Sequence, residues 1–201
     1  MRVRALVQAC HPEPTAAVTA IATALALSAG RGAGAMSVAA AFLSGQLSVG
    51  WSNDWIDAER DRRTARADKP VSRGEVSPGA LRSAALLAAA ACVPLSLSMG
   101  LLAGIAHLVA VAAAWSYNAR LKATALSWAP YALAFGLVPS IVTLGLRHHP
   151  WAPAWATGAG VLLGVGAHLA NTLPDLADDE ATGIRGLPHR LGARRAAALA
   201  A

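Results

Sequence analysis

The chain has 201 residues, 55% of them hydrophobic and only 14% charged, with a mean hydropathy of +0.45 and a formal net charge of +6. An ordinary soluble domain carries about 25% charged residues; here the charges are scarce and clustered, which excludes a soluble core and predicts an all-α, polytopic membrane bundle. The pI near 10.3 does not indicate a nucleic-acid partner, because the basic residues lie in fragments between apolar stretches with no interleaved aromatics.

Arg2 and Arg4 are followed by the polar His11-Pro12-Glu13-Pro14, so no cleavable signal peptide is predicted. Cys10 and Cys92 are far apart, fit no metal or redox spacing and read as free thiols. A first span covers about residues 15–29 and is closed by the Gly30–Gly34 turn. A second, about residues 35–53, delivers an acidic stretch and then a long polar connection to Ser77-Pro78, which has the form of a helix start. Spans three and four cover about residues 81–98 and 101–117, joined at Met99-Gly100. Span five covers about 126–146, span six about 154–173, and residues 194–201 read as the opening of a seventh. With the N-terminus and the loops after even-numbered spans on one side, fifteen of the seventeen Lys and Arg fall there; only Arg31 and Arg147 do not. The positive-inside bias makes that side cytoplasmic. All eleven acids fall there too. The bias does not require this, so it asks for a chemical reason.

The stretch Asn53-Asp54-Trp55-Ile56-Asp57-Ala58-Glu59-Arg60-Asp61 supplies one. On a helix Asp54, Asp57 and Asp61 step by three and four residues and share a face. Like charges stacked this way destabilise a bare helix, so the stripe wants a cation. Hard divalent ions such as Mg²⁺ take oxygen ligands and often share them with substrate phosphates. A second cluster follows span six: Asn171-Thr172-Leu173-Pro174-Asp175-Leu176-Ala177-Asp178-Asp179-Glu180. Asp175 and Asp179 are one turn apart, and Pro174 should kink or restart the helix before them. One such cluster could be only a solvated helix exit. Two at the same membrane face, with matched spacing, predict a pocket in which carboxylates hold about two divalent ions against a diphosphate.

Asn53-Asp54-x-x-Asp57-x-x-x-Asp61, with Arg63-Thr64 and Lys69-Pro70 behind it, resembles the first motif of the UbiA family of intramembrane prenyltransferases. Asp175-x-x-x-Asp179, followed by Gly183-Ile184-Arg185-Gly186-Leu187-Pro188 and Arg190-Leu191-Gly192, resembles the second. Tyr117-Asn118-Ala119-Arg120-Leu121-Lys122 sits where that family has a basic loop. The resemblance covers nearly the whole chain. It implies Mg²⁺-dependent transfer of a prenyl group from a polyprenyl diphosphate to an aromatic or otherwise lipophilic acceptor in the bilayer, and so a role in isoprenoid or quinone biosynthesis.

By the same resemblance Asp54, Asp57 and Asp61 hold one metal ion and Asp175 and Asp179 a second. Asn53, Arg66, Lys69, Tyr117, Arg120, Lys122 and Asn171 then bind substrate. A single UbiA-like domain over residues 1–201 is expected, with motif loops at about 54–78, 118–125 and 174–194 on the cytoplasmic side of a bacterial plasma membrane. Family members usually have nine spans where about six are read here, so the resemblance also implies that a C-terminal part is missing. Lys69 stands where many members carry Arg, and Asn171-Thr172 where many begin the second motif with an acid.

Other residues keep two readings. Trp51 and Trp55 are interface anchors or stack on substrate. His107 and His168, inside spans, are functional groups or interhelix hydrogen-bond partners. The Arg60–Arg63 run could bind anionic headgroups. The alternatives to a prenyltransferase are a transporter-like protein, whose acids would belong near the midplane, and an inactive fragment of a prenyltransferase.

Overall fold

A computed structural model describes residues 3–64 and 66–200; Arg2 lies outside the described residues. Among these the structure is helical without strands. The short α1 (Val3–Gln8) precedes α2 (Pro12–Ser28), α3 (Gly34–Arg63), α4 (Pro78–Leu97), α5 (Leu101–Ala119), α6 (Ala129–Thr143) and α7 (Ala154–Thr172). Three short helices follow: α8 (Leu176–Ala181), α9 (Leu187–Leu191) and α10 (Ala193–Ala200).

The boundaries follow local chemistry. Pro12 and Pro78 occupy first turns, where a missing N–H costs nothing. Ser77 caps α4 by accepting the Ala80 N–H at 3.1 Å. The turn between α4 and α5 carries Gly100 at φ 109°, a conformation that L side chains avoid. Pro174 restarts the chain as expected: α7 stops at Thr172, a 3₁₀ turn covers Leu173–Asp175, and α8 begins at Leu176.

Two differences from the sequence expectation matter. The second span does not end at residue 53; α3 runs unbroken through the acidic stripe and the first arginines to Arg63. Thirty residues at 1.5 Å make about 45 Å, longer than a bilayer's hydrocarbon core of about 30 Å, and Asp57 and Asp61 lie in the last two turns. The fifth span is shorter than expected, 15 residues, because residues 124–128 fold into turns tied by Thr124, which accepts the Leu126 N–H and donates to the Leu121 carbonyl. By length and composition two helices, Pro78–Leu97 and Leu101–Ala119, are able to cross a membrane, and Ala129–Thr143 is a shorter apolar one.

α3 packs on α2, α4 and α5, and α6 packs on α5 and α7. The main core lies between α2, α3, α5 and α6, built from small residues (Ala22, Ala26, Ala103, Ala106) around Val38, Phe42 and Ile141. Small side chains let helix backbones approach closely, the usual solution where no water drives association. A Cβ at Gly164 of α7 would lie 2.4 Å from the Tyr131 carbonyl, so this glycine sets how near α7 comes to α6. Large apolar side chains such as Leu86, Leu87, Leu162 and Trp155 face outward, the inverse of a soluble surface. A second small core of Ala5, Ala9, Ala58, Val71, Val76 and Leu81 seats α1 and the 66–77 segment against the end of α3.

Candidate active site at the end of the bundle

A cavity of about 550 Å³ opens between the ends of α2, α3, α5, α6 and α7. Its lining is charged on the last turns of α3, on α8 and on the connecting segments, with Asp57, Asp61, Lys69, Lys122, Asp175 and Asp179. It is apolar or aromatic along α2, α5 and α6, with Val18, Tyr117, Tyr131, Ala134 and Phe135.

The two acidic clusters meet across this space through cations. Asp54, Asp57 and Asp61 are all buried, on one face of α3. Lys69 Nζ lies 2.6 Å from Asp54 Oδ1, and His11 Nε2 lies 3.0 Å from the same oxygen. Lys122 pairs with Asp57. Arg60 reaches three acids: Asp57 at 3.0 Å, Asp61 at 3.6 Å and, from the second cluster, Asp179 at 3.5 Å. Arg66 bridges in the same sense, to Asp175 at 3.2 Å, while two parallel 2.9 Å bonds fix it to Asp68. Asn53 donates to Asn118 at 3.3 Å, and Asn118 is itself tied to α3 at Val49 and Ser52. Asn171 donates to the Tyr131 hydroxyl at 3.4 Å.

Electrostatics distinguishes the acids. Burial, reinforced by the neighbouring Asp57 and Asp54, holds the Asp61 carboxyl above its ordinary pKa despite Lys69 and Arg60. Burial raises Asp179 as well, against the pull of Arg60. Asp68 is the opposite case: hydrogen bonds from Arg66 bring it down to about 2. Burial pushes the Lys122 ammonium down, opposed by its Asp57 partner.

The donor set consists of carboxylate oxygens, the chemistry of a hard cation. Asp54 Oδ2 and Asp61 Oδ2 are buried without a hydrogen-bond partner, and such orphans mark free ligand capacity. Among the described residues no three or more His, Cys, Asp or Glu side chains are gathered around one point as a finished metal cage. Arg60, Lys69 and Lys122 stand among the acids instead.

Of the twelve residues singled out from the sequence, Asn53, Asp57, Asp61, Arg66, Lys69, Tyr117, Lys122, Asn171, Asp175 and Asp179 line the cavity. Asp54 lies just behind it, joined through Lys69. Arg120 is exposed and stands apart from the lining. Sequence reasoning missed His11, Asp68 and His189. His11, at φ 55°, closes the charged end beside Asp54. Its signal was present, a polar residue at the mouth of a span on the acid-bearing side. His189 Nε2 comes 3.7 Å from Asp179, a contact across ten residues that no spacing rule announces. Arg60, first of the run that could bind anionic headgroups, sits at the centre of the acids.

Trp51 donates to the Leu6 carbonyl at 2.9 Å, and Arg82 lies 5.5 Å above the Trp55 ring; both tryptophans pin neighbouring segments. His107 bonds Ser96 at 2.8 Å, the interhelix role.

Among known proteins, the family model described as the UbiA prenyltransferase family matches residues 14–201. The structure of a UbiA homolog from Archaeoglobus fulgidus bound to GPP and Mg²⁺ superposes with a TM-score of 0.77 at 18% identity, covering 96% of this chain and 71% of the other. The same homolog bound to DMAPP and Mg²⁺ gives 0.77 and 18%, covering 95% and 70%. At that identity the likeness is one of fold. No curated protein matches the chain in sequence.

Proposed function

The chain belongs to the UbiA prenyltransferase family, and we propose that it transfers a prenyl group from a polyprenyl diphosphate to a lipophilic, aromatic-type acceptor at the membrane, with Mg²⁺ as cofactor. The observation that supports this is one cavity whose lining is part charged and part aromatic, with cations bridging the two separate acidic clusters beside it. The fold neighbours hold GPP or DMAPP with Mg²⁺, which supports the same substrate class.

In this reading the carboxylates of Asp54, Asp57 and Asp61, and those of Asp175 and Asp179, would hold magnesium, which supplies neutralisation of diphosphate charge. Lys69, Arg66 and Lys122, already at the charged end, stabilise the departing diphosphate as the allylic C–O bond breaks. Preorganised charge of this kind commonly contributes several kcal/mol. Asn53 offers its amide to phosphate, and Asn171 orients the Tyr131 hydroxyl. Tyr117, Tyr131 and Phe135 form a dry wall whose π-faces suit a developing allylic cation. Arg120, outside the cavity, acts at longer range on approaching substrate. The domain is a single unit with its motif segments at one membrane face, taken as cytoplasmic from the basic bias. The first acids lie in the last three turns of α3 and the second cluster just after α7, at one end of the bundle, whereas a transporter site belongs at mid-membrane depth.

The test is release of pyrophosphate from a labelled polyprenyl diphosphate by the purified protein, dependent on both Mg²⁺ and an acceptor. Asp57→Ala and Asp175→Ala should each lower kcat/KM by about 10²-fold or more. Full activity in either variant overturns that ligand assignment.

A further inference from the structure

The two halves of the charged cavity are joined by a second route that does not pass through the acids. Lys122 lies in the 3₁₀ turn Leu121–Ala123 after α5 and pairs with Asp57 of the first cluster. Five residues on, the fully buried Ser127 accepts the Leu187 N–H at 2.8 Å. The same hydroxyl is 3.0 Å from Nε2 of the buried His168, one turn before Thr172 on α7. Leu187 opens α9, and His189 on that helix stands 3.7 Å from Asp179 of the second cluster. One hydroxyl, carried on the segment that follows Lys122, therefore touches both the helix that leads into the second cluster and the segment that returns from it.

The approach at this node is close. A Cβ at Gly186 would lie 2.7 Å from the Lys122 carbonyl and 2.8 Å from Ser127 Oγ. The backbone of 186 thus rests directly on the backbone of 122, and only glycine permits it. The turn itself is stiff: Thr124 bonds Leu121, Leu126 bonds Thr124, and Ser127 bonds Thr124. A shift at Ser127 is therefore transmitted to Lys122 rather than absorbed. His168 and Ser127 take no part in the binding of substrate described above, yet each is almost wholly buried and hydrogen-bonded to the other, an arrangement costly to leave half satisfied.

We propose that Ser127 is a positioning residue: its hydroxyl clamps the Lys122 turn to the Gly186–Leu187 segment and so fixes the separation between the two acidic clusters. The idea rests on the prenyltransfer reading of the cavity for its catalytic consequence, but not for its structural one. Since Lys122 and Asp179 belong to opposite halves, loosening the clamp weakens grip on a group that must touch both, the diphosphate, and leaves the acceptor end alone.

The experiment uses the full chain in detergent or nanodiscs, with Ser127→Ala, Lys122→Ala and the double variant, read by kinetics and by amide hydrogen exchange. With geranyl diphosphate as probe, Ser127→Ala should raise its KM by about tenfold, with the KM of the acceptor unchanged, and should add little on top of Lys122→Ala. Exchange should rise together in residues 120–128 and 184–190. Losses that multiply in the double variant, or exchange that stays unchanged at 184–190 in Ser127→Ala, overturn the proposal. Gly186→Ala pushes the same two backbones apart from the other side and replaces Ser127→Ala where that variant does not fold; unchanged exchange at 120–128 in it overturns the clamp. Raised exchange in both segments, with no turnover even in the unaltered chain, upholds the clamp and removes the prenyltransfer reading instead.

Discussion

At the residue scale, the acids of this protein divide by what surrounds them. Asp61 is desolvated beside Asp57 and Asp54, and its pKa is raised in the folded protein. A carboxyl of this kind is penalised by folding at every pH above its folded value, and the penalty is relieved as pH falls through that value toward the unfolded one. Asp61→Asn should therefore raise the melting temperature of the ligand-free protein at pH 7 while lowering its turnover. Arg60 keeps Asp57 and Asp179 as partners, so the change strands no charge. Asp68 has the reverse sign. Arg66 holds its pKa near 2, so its contribution is present above the unfolded value and lost as pH falls toward 2. Asp68→Asn should lower the melting temperature at pH 7, modestly because the carboxylate is over half exposed, and the difference should vanish near pH 2. Melts of both variants at pH 7, with Asp68→Asn followed into acid, check the pair; equal shifts of the same sign would contradict the distinction. The identity of the acids was legible in the sequence because a three-and-four spacing on a helix is a local property. Which cation sits on which acid was not. Lys69 with Asp54, Lys122 with Asp57 and Arg66 with Asp175 are pairings over 15, 65 and 109 positions, decided by how the helices pack.

At the scale of elements, one side chain ties three elements together at the end of the bundle away from the acids. Arg31, in the turn between α2 and α3, donates to the Met99 carbonyl at 2.9 Å and the Val142 carbonyl at 3.3 Å. These oxygens lie just past α4 and within the last turn of α6, where carbonyls lack helical partners and the helix dipole favours a cation. The sequence showed Arg31 only as an exception to the charge bias, because its partners are 68 and 111 positions away. Gly145 makes room for it: a Cβ there would fall 2.0 Å from the guanidinium. Arg31→Ala should cost about 1.5–3 kcal/mol, the range for hydrogen bonds that involve a charged group. Gly145→Ala should cost a similar amount alone but little in the Arg31→Ala background, since the clash is gone. A double-mutant cycle from reversible unfolding measures this; additive losses would mean that Gly145 serves something other than Arg31. Helix existence and order were readable from apolar windows, Pro and Gly. The long reach of α3 was not, because its polar last turns are stabilised by packing of Ala58 against Val71, Val76 and Leu81, a tertiary effect that overrides local composition.

At the scale of the whole molecule, the charged end is occupied by the protein's own cations. Every acid assigned to metal has a basic partner within 3.6 Å: Asp54 with Lys69, Asp57 and Asp61 with Arg60, Asp175 with Arg66 and Asp179 with Arg60. A divalent ion arriving alone competes with these pairs and must leave Lys and Arg side chains without counter-charge in a partly buried site, which is expensive. A diphosphate arriving alone finds its cations already engaged. Arriving together, the two exchange partners, so that the bases turn to phosphate while the carboxylates are released. Each ligand therefore strengthens the other by the same factor, as linkage demands. Mg²⁺ alone should shift the melting temperature little, and Mg²⁺ with geranyl diphosphate much more than the two separate shifts combined. At a hundredfold excess over the joint Kd the stabilisation should reach about 2.7 kcal/mol. Lys122→Met releases Asp57 from one of its two cations, so this variant should bind Mg²⁺ alone more tightly than the unaltered chain does, yet gain less from the diphosphate. Thermal shifts over a matrix of the two ligands measure both effects. A full shift from Mg²⁺ alone in the unaltered protein would show that the carboxylates are free without the diphosphate, and that the cations among them do not gate the site.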